Sequence, residues 1–213
     1  YGKRSKLRNM EACLTELKEL HKKYPEKEVR ERLAAGLYNA AKYYGEKKDF
    51  KKMETYLTEL KELHRKHPER EVRIFLTMGL SNAVINYGKK KDFKNMEAGL
   101  NELKELHKKY PEKEIKVVLA VALFSEMYSY KKAGKFNEMP YENLVLLYKL
   151  RFDLPDEPKK EKNIRTIEDL FVKVTKEKIE KIYNKEEDLR KFLNFLKAEL
   201  GDAEIVLLMK EIS

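Results

Sequence analysis

Apolar residues recur along the first two thirds of the chain at steps of three and four, with polar residues between them. From residue 28 to about 44 the stripe is Val29, Leu33, Gly36, Leu37, Ala40 and Tyr44; from 50 to about 67 it is Phe50, Met53, Leu57, Leu60 and Leu63. That spacing follows one face of an α-helix and lacks the strict alternation of a strand. Gly45 stands where a glycine commonly closes a helix, Glu46, Lys47 and Lys48 supply a polar turn, Asp49 is placed to cap the next helix and Pro68 to stop it. The pattern predicts two helices joined by a tight turn.

The pair is then copied. "LTELKELHKKYPEKEV" from Leu14 returns as "LTELKELHRKHPEREV" from Leu57 and "LNELKELHKKYPEKEI" from Leu100, a shift of 43 residues each time. The same register carries Tyr44 to Tyr87 and Tyr130, Gly45 to Gly88, Phe50 to Phe93 and Phe136, and Met53 to Met96 and Met139. A helix pair of this size cannot bury both of its apolar faces by itself, so successive copies must stack and share a core. Going backwards the register reaches Tyr1, Gly2 and Met10, which places the start of the chain inside a repeat and leads us to expect a longer protein. The expected organisation is a partial repeat over 1–25, helix pairs near 26–68, 69–111 and 112–150, a polar connector over 151–163, and helices over 164–213 that cap the row. Within that last segment Thr166 and Asp169 open a helix running to Tyr183, a second spans about 186–200, and Asp202 caps a short third ending near Ile212.

The stretch "LYNAAKYYGEKKDFKKMETYLTELKELHKKYP" resembles a tetratricopeptide repeat, and the likeness covers about residues 1–150. The small residue of the first helix is matched by Gly36 or Ala40, the aromatic near its end by Tyr44, the Gly-Asp-aromatic turn by Gly45 with Asp49 and Phe50, and the closing proline by Pro68. The period of 43 exceeds the usual 34, and Met53 stands where the family commonly has alanine. The resemblance implies an all-α, right-handed superhelix of stacked antiparallel helix pairs. It also implies a scaffold that binds another protein along the concave face made by the first helices. Fold alone does not fix function.

Composition narrows the setting. Across 213 residues, Lys and Arg number 47 and Asp and Glu 37, and residues 1–150 carry all of the resulting +10 excess. No apolar run approaches the roughly 18 residues that a membrane span needs, and a secretion signal is missing from the first ten residues, so a cytoplasmic protein is expected. A single cysteine, Cys13, rules out an internal disulfide framework. Gln is absent while Lys and Glu abound, a balance expected of heat-loving organisms.

Three groups of residues are candidates for chemistry. His21, His64 and His107 recur in register, but each sits near the end of a second helix, where an imidazole meets the negative end of the dipole. Stacked repeats also hold equivalent residues on the order of 10 Å apart, too far for one metal ion. No metal or cofactor is expected. The inter-helix turns carry Lys3, Arg4, Lys6 and Arg8, then Lys47, Lys48, Lys51 and Lys52, then Lys89, Lys90, Lys91 and Lys94, then Lys131, Lys132 and Lys135. That edge is a cationic ridge suited to a nucleic-acid backbone or an acidic partner. On the first helices, away from the shared stripe, lie Phe75, Met78, Asn82 and Ile85, then Val118, Val121, Ser125 and Tyr128. The corresponding positions of the first copy are Arg32, Ala35, Asn39 and Lys42. This face either lines a groove for a partner helix or peptide, with Asn39 and Asn82 bonding to its backbone, or is covered by other helices of the chain. The Asn pair resembles part of the clamp by which some tetratricopeptide domains hold a peptide carboxylate. No glycine-rich phosphate loop, His-Glu-x-x-His or nucleophile constellation is present, so an enzyme is not expected. The expected function is protein–protein interaction, with nucleic-acid binding through the ridge as the alternative. A melting midpoint above the about 45–65 °C typical of mesophile domains is expected in differential scanning calorimetry; a value inside that range contradicts the inferred thermophilic origin.

Overall fold

The structure is a computed structural model that describes residues 2–155 and 159–212, with side chains from residue 9 onward. Tyr1 and the side chains of Lys3, Arg4, Lys6 and Arg8 lie outside the described residues. Those residues that are described form ten α-helices and two short 3-10 helices, with no strand. The chain divides into two compact units, Tyr1–Phe136 and Asn137–Ser213.

The first unit holds α1 (Gly2–Lys23), α2 (Lys27–Glu46), α3 (Phe50–Lys66), α4 (Arg70–Lys90), α5 (Phe93–Lys109) and α6 (Lys113–Lys132). Each first helix (α2, α4, α6) packs on the second helix before it, and α2 and α4 also pack on the one after. The first helices pack side by side, α2 on α4 and α4 on α6. The stripes found in the sequence are the buried ones: Met53, Leu57, Leu60 and Leu63 on α3, and Met96, Leu100 and Leu103 on α5, are all core residues. Hiding one such side chain contributes about 1.5–3 kcal/mol. The flanks differ in an instructive way. α3 and α5 are polar on their outer faces, whereas α4 is buried on most of its circumference because it touches α2, α3, α5 and α6 together.

The turns follow the register, with one correction. Asp49 caps α3 by accepting from the Lys52 backbone N–H at 3.1 Å, and Asp92 caps α5 by accepting from Asn95 N–H at 3.3 Å. Gly45 does not stop α2; it is buried inside the last turn, and the helix runs to Glu46. The left-handed residue that reverses the chain is Lys48 (φ 62°), then Lys91 (φ 63°), then Gly134 (φ 69°), again 43 residues apart. Gly45 serves close approach instead. A Cβ there would lie 2.6 Å from Asn86 Nδ2 and 2.9 Å from Met53 Sδ, and one at Gly88 would collide with Ser129 Oγ.

Copies are joined by the same side-chain contacts at each step. The Tyr44 hydroxyl donates to the Glu11 carboxylate, Tyr87 to Glu54 and Tyr130 to Glu97. Burial, followed by the neighbouring carboxylate, pushes the Tyr87 hydroxyl well above the ordinary phenol range. Phe50 stacks on Tyr87 with ring centroids 5.3 Å apart, and Phe93 on Tyr130 at 4.4 Å. At the other end of the first helices, the Arg30 guanidinium donates to Glu69 and to the Pro25 carbonyl, and Arg73 to Glu112 and to the Pro68 carbonyl. Glu69 and Glu112 occupy the N-cap positions of α4 and α6, so each arginine ties its own loop to the next copy. The Arg30 charge holds the Glu69 carboxyl below its ordinary value. Lys18 with Glu59 at 2.6 Å and Lys61 with Glu102 at 2.7 Å bridge consecutive second helices. These partly exposed pairs are worth little individually.

The second unit contains α7 (Tyr141–Lys149), α8 (Lys160–Ile182), α9 (Glu186–Leu200) and α10 (Asp202–Ile212). The series thus changes after α6. Where a 17-residue second helix stood twice before, a 3-10 turn at Phe136–Glu138 and the nine-residue α7 follow, and α7 packs on α8. Helix α8 starts at Lys160, ahead of Thr166; the Thr166 hydroxyl bonds back to the Lys162 carbonyl inside the helix and caps nothing. Phe171 is fully buried and stacks against Tyr148 at 4.2 Å, while Tyr141 shares a 2.7 Å hydrogen bond with Thr175. Burial pushes the Tyr141 hydroxyl up to about 12. Arg151 gathers this unit, donating to Glu168 at 2.8 Å, to Glu204 at 3.1 Å and to the Tyr148 carbonyl at 2.6 Å.

Two substitutions near the ends of successive first helices are expected to shift stability in opposite directions. Gly45→Ala overpacks Asn86 and Met53 and costs about 1–3 kcal/mol. Lys91→Gly relieves the left-handed backbone and gains about 1 kcal/mol. Urea denaturation of the two variants beside the parent checks both signs.

Candidate functional site

The neighbouring first helices α4 and α6 leave a seam on the side turned away from the second helices. Near their N-terminal ends Ile74, Thr77, Met78, Ile115, Val117 and Val118 line an apolar furrow of about 470 Å3, with Lys113 and Glu114 at its rim. Glu114 is engaged by Arg70 at 2.7 Å. Near their C-terminal ends a second cavity of about 350 Å3 is walled by Ile85, Phe124 and Tyr128 and edged by Lys89, Lys91 and Lys132. Tyr128, near the end of α6, is 58% exposed, unusual for a large ring on a packed helix. The furrow is lined mainly by β-branched side chains together with Met78, and the second cavity includes two small polar ones, Ser125 and Ser129.

The residues singled out on this face divide. Met78 and Val118 line the furrow, and Ile85, Ser125 and Tyr128 line the second cavity. Phe75 instead leans on Tyr38 at 5.9 Å, between α4 and α2. Val121 is half-buried on α6, and Asn39 stands exposed on α2. The two asparagines are not equivalent in practice. The Asn82 amide donates to the Met78 carbonyl at 3.0 Å and reaches the Tyr38 hydroxyl at 3.4 Å, so its donors are already engaged within the chain. Several lining residues escaped the sequence reading: Ile74, Thr77, Val117, Phe124 and Ser129. Ile74 and Val117 are register-equivalent and apolar, a signal that was present; Thr77 and Ser129 become visible only once the helices are docked.

The ridge lysines divide as well. Lys52 donates to the Tyr44 hydroxyl at 3.0 Å and to Glu11 at 2.9 Å, and these hydrogen bonds raise its pKa far above the ordinary lysine value. Lys90 stands 3.6 Å from Asp92 and 4.6 Å from the centre of the Phe50 ring, and Lys47 lies over Tyr43 at 5.7 Å. Lys48, Lys51, Lys89, Lys91 and Lys94 are exposed, with no side-chain partner among the described residues.

The histidines sit between copies. His21 meets His67 edge-on at 6.0 Å, and His64 meets Tyr110 at 6.1 Å. Nδ1 of His21 and Nε2 of His64 are buried without a hydrogen-bond partner. Burial first, then His67, Arg30 and Lys66 around His21, and Arg73 and Lys109 around His64, push both imidazoles below their ordinary pKa. Among the described residues no three His, Cys, Asp or Glu converge as a metal-binding group, and no helix is long and apolar enough to cross a membrane.

Comparison with family models, with curated proteins and with solved structures finds no match to this chain.

The lowered imidazole values set a direction for pH dependence. Above about pH 6.5 these histidines are neutral in both states and contribute no slope. As pH falls below that, the unfolded chain takes up protons before the folded one, and stability declines until the folded-state values are passed. The denaturation midpoint is expected to drop between neutral pH and the carboxylate range, and His21→Leu with His64→Leu to flatten that drop; parallel curves for parent and variant contradict the assignment.

Proposed function

We propose that residues 1–136 form a tetratricopeptide-like superhelix acting as a protein–protein interaction module, with the α4–α6 seam receiving a helix or extended peptide of the partner. The observation that carries this is the pair of cavities on one seam, lined by five of the residues chosen from the sequence alone: Met78, Ile85, Val118, Ser125 and Tyr128. An apolar furrow with a few polar groups at its edge is the usual form of a groove that accepts an amphipathic segment. The apolar face shared by α4 and α6 does not extend to α2, where Arg32 pairs with Glu28 and Lys42 is exposed, so the anchoring part of the partner lies over α4 and α6.

Nucleic-acid binding through the turn lysines is the second reading, favoured by the exposed, unpartnered ammonium groups of Lys48, Lys51, Lys89, Lys91 and Lys94. It requires affinity for an oligonucleotide to fall steeply with salt, through counterion release. Against it, Lys52 and Lys90 are held by partners inside the chain.

Panning a displayed random-peptide library on the immobilised protein tests the first reading. Apolar, amphipathic sequences are expected to enrich on the parent and to be lost on the Met78→Glu, Val118→Glu double variant. Equal enrichment on both, or none on the parent, overturns it.

A further inference from the structure

The second cavity is one of a pair. Gly45, Glu46, Lys48, Phe50, Asn86, Lys89 and Lys90 line a cavity of about 400 Å3 one repeat earlier. Advanced by 43 residues these positions become Gly88, Lys89, Lys91, Phe93, Ser129, Lys132 and Ala133, and six of the seven line the later cavity. Each notch is therefore a product of the repeat. A glycine lets the next first helix come close, the left-handed turn residue forms one lip, and lysines at the end of the following helix form the other.

The charge of the notch is what singles it out. In the earlier copy Glu46 offsets part of the lysine charge; in the later one its place is taken by Lys89, and the edge is Lys89, Lys91 and Lys132 with no acid. All three are exposed and none has a side-chain partner among the described residues. The backbone underneath does not cancel this charge. The last carbonyls of α4 are already satisfied, Gly88 O by Lys91 N–H and Tyr87 O by Asp92 N–H, both at 3.0 Å, which mutes the negative end of the helix. A lysine also holds the left-handed position at 48 and 91, although Gly134 shows that glycine fits the same turn. A charged side chain is kept there against backbone strain.

We propose that this notch between Lys89, Lys91 and Lys132 holds acidic side chains of a peptide whose apolar residues lie in the furrow beside Met78 and Val118, an inference that rests on the partner-binding reading above. The two cavities are eleven residues apart along α4, from Met78 to Lys89, which is about 16 Å on a helix axis. An extended segment covers that distance in about five residues. The order of the seam, apolar at one end and cationic at the other, matches a segment with apolar anchors followed by carboxylates. A nucleic acid is charged along its whole length, and the apolar end holds no aromatic ring on which its bases would stack.

Fluorescein-labelled peptides serve as probes: leucines in one half and glutamates in the other, in both orders, each beside a counterpart with glutamine for glutamate, together with a single-stranded oligonucleotide. Fluorescence anisotropy on the full chain is expected to show one glutamate peptide binding at least about tenfold more tightly than its glutamine counterpart. That preference should shrink as salt screens it. The Lys91→Gly, Lys132→Gln variant should erase the preference and leave the glutamine peptide unchanged. Because glycine suits position 91, a melting curve no lower than that of Lys132→Gln alone shows that the fold is intact. Equal binding of glutamate and glutamine peptides, both lost with Met78→Glu and Val118→Glu, overturns the acidic notch and leaves the partner-binding reading standing. Binding of neither peptide overturns both, as does a preference for the oligonucleotide that Lys91→Gly with Lys132→Gln removes.

Discussion

Close approach of one first helix to the next is the constraint on which the first unit depends. Two helices joined by a turn have more apolar surface than they can hide between themselves, and a third must lie against them to finish the burial. Gly45 and Gly88 make that possible by leaving no Cβ where Asn86 and Ser129 come in. Once the helices are that close, the tyrosine at the end of each first helix reaches the glutamate of the preceding second helix, and the arginine at its start reaches the glutamate that heads the next one. Polar contacts then fix a register that apolar burial alone would leave loose.

The α4–α6 seam is a by-product of the same constraint. Small residues set the close approach on one side of the helices, and what fills the other side decides whether a furrow remains. At Tyr38 and Phe75 the gap between α2 and α4 is closed by rings. Between α4 and α6 the corresponding places, 43 residues on, carry Ser81 and Val118, which leave space. The furrow therefore arises where the copies differ in sequence, on a frame set where they agree.

Much of this was legible in the chain itself. The 43-residue shift, the buried faces of α3 and α5 and the capping aspartates follow from helical periodicity and turn chemistry, which are local. Four things were not. Gly45 reads as a helix stop because glycine so often ends helices, and only the docked Asn86 and Met53 reveal that it is there for space. The true reversing residue, Lys48 or Lys91, is hidden because lysine rarely adopts positive φ, although Gly134 in register was a hint. The start of α8 at Lys160 was obscured by a proline-containing connector and by a threonine whose hydroxyl bonds inside the helix. On the candidate face, apolar character pointed to Met78 and Val118, but nothing in the sequence told that Asn82 would be engaged by Tyr38 while Asn39 stays exposed.

The partners of the joining contacts lie 33 to 44 residues apart along the chain, as with Tyr87 and Glu54 or Arg70 and Glu114. A ribosome adds that length in roughly 2–9 s at about 5–20 residues per second. Each newly emerged helix pair thus finds its docking surface already made, waiting no longer than the translation of one further copy. Assembly during synthesis can advance in steps of constant size, with little apolar surface left uncovered at any moment.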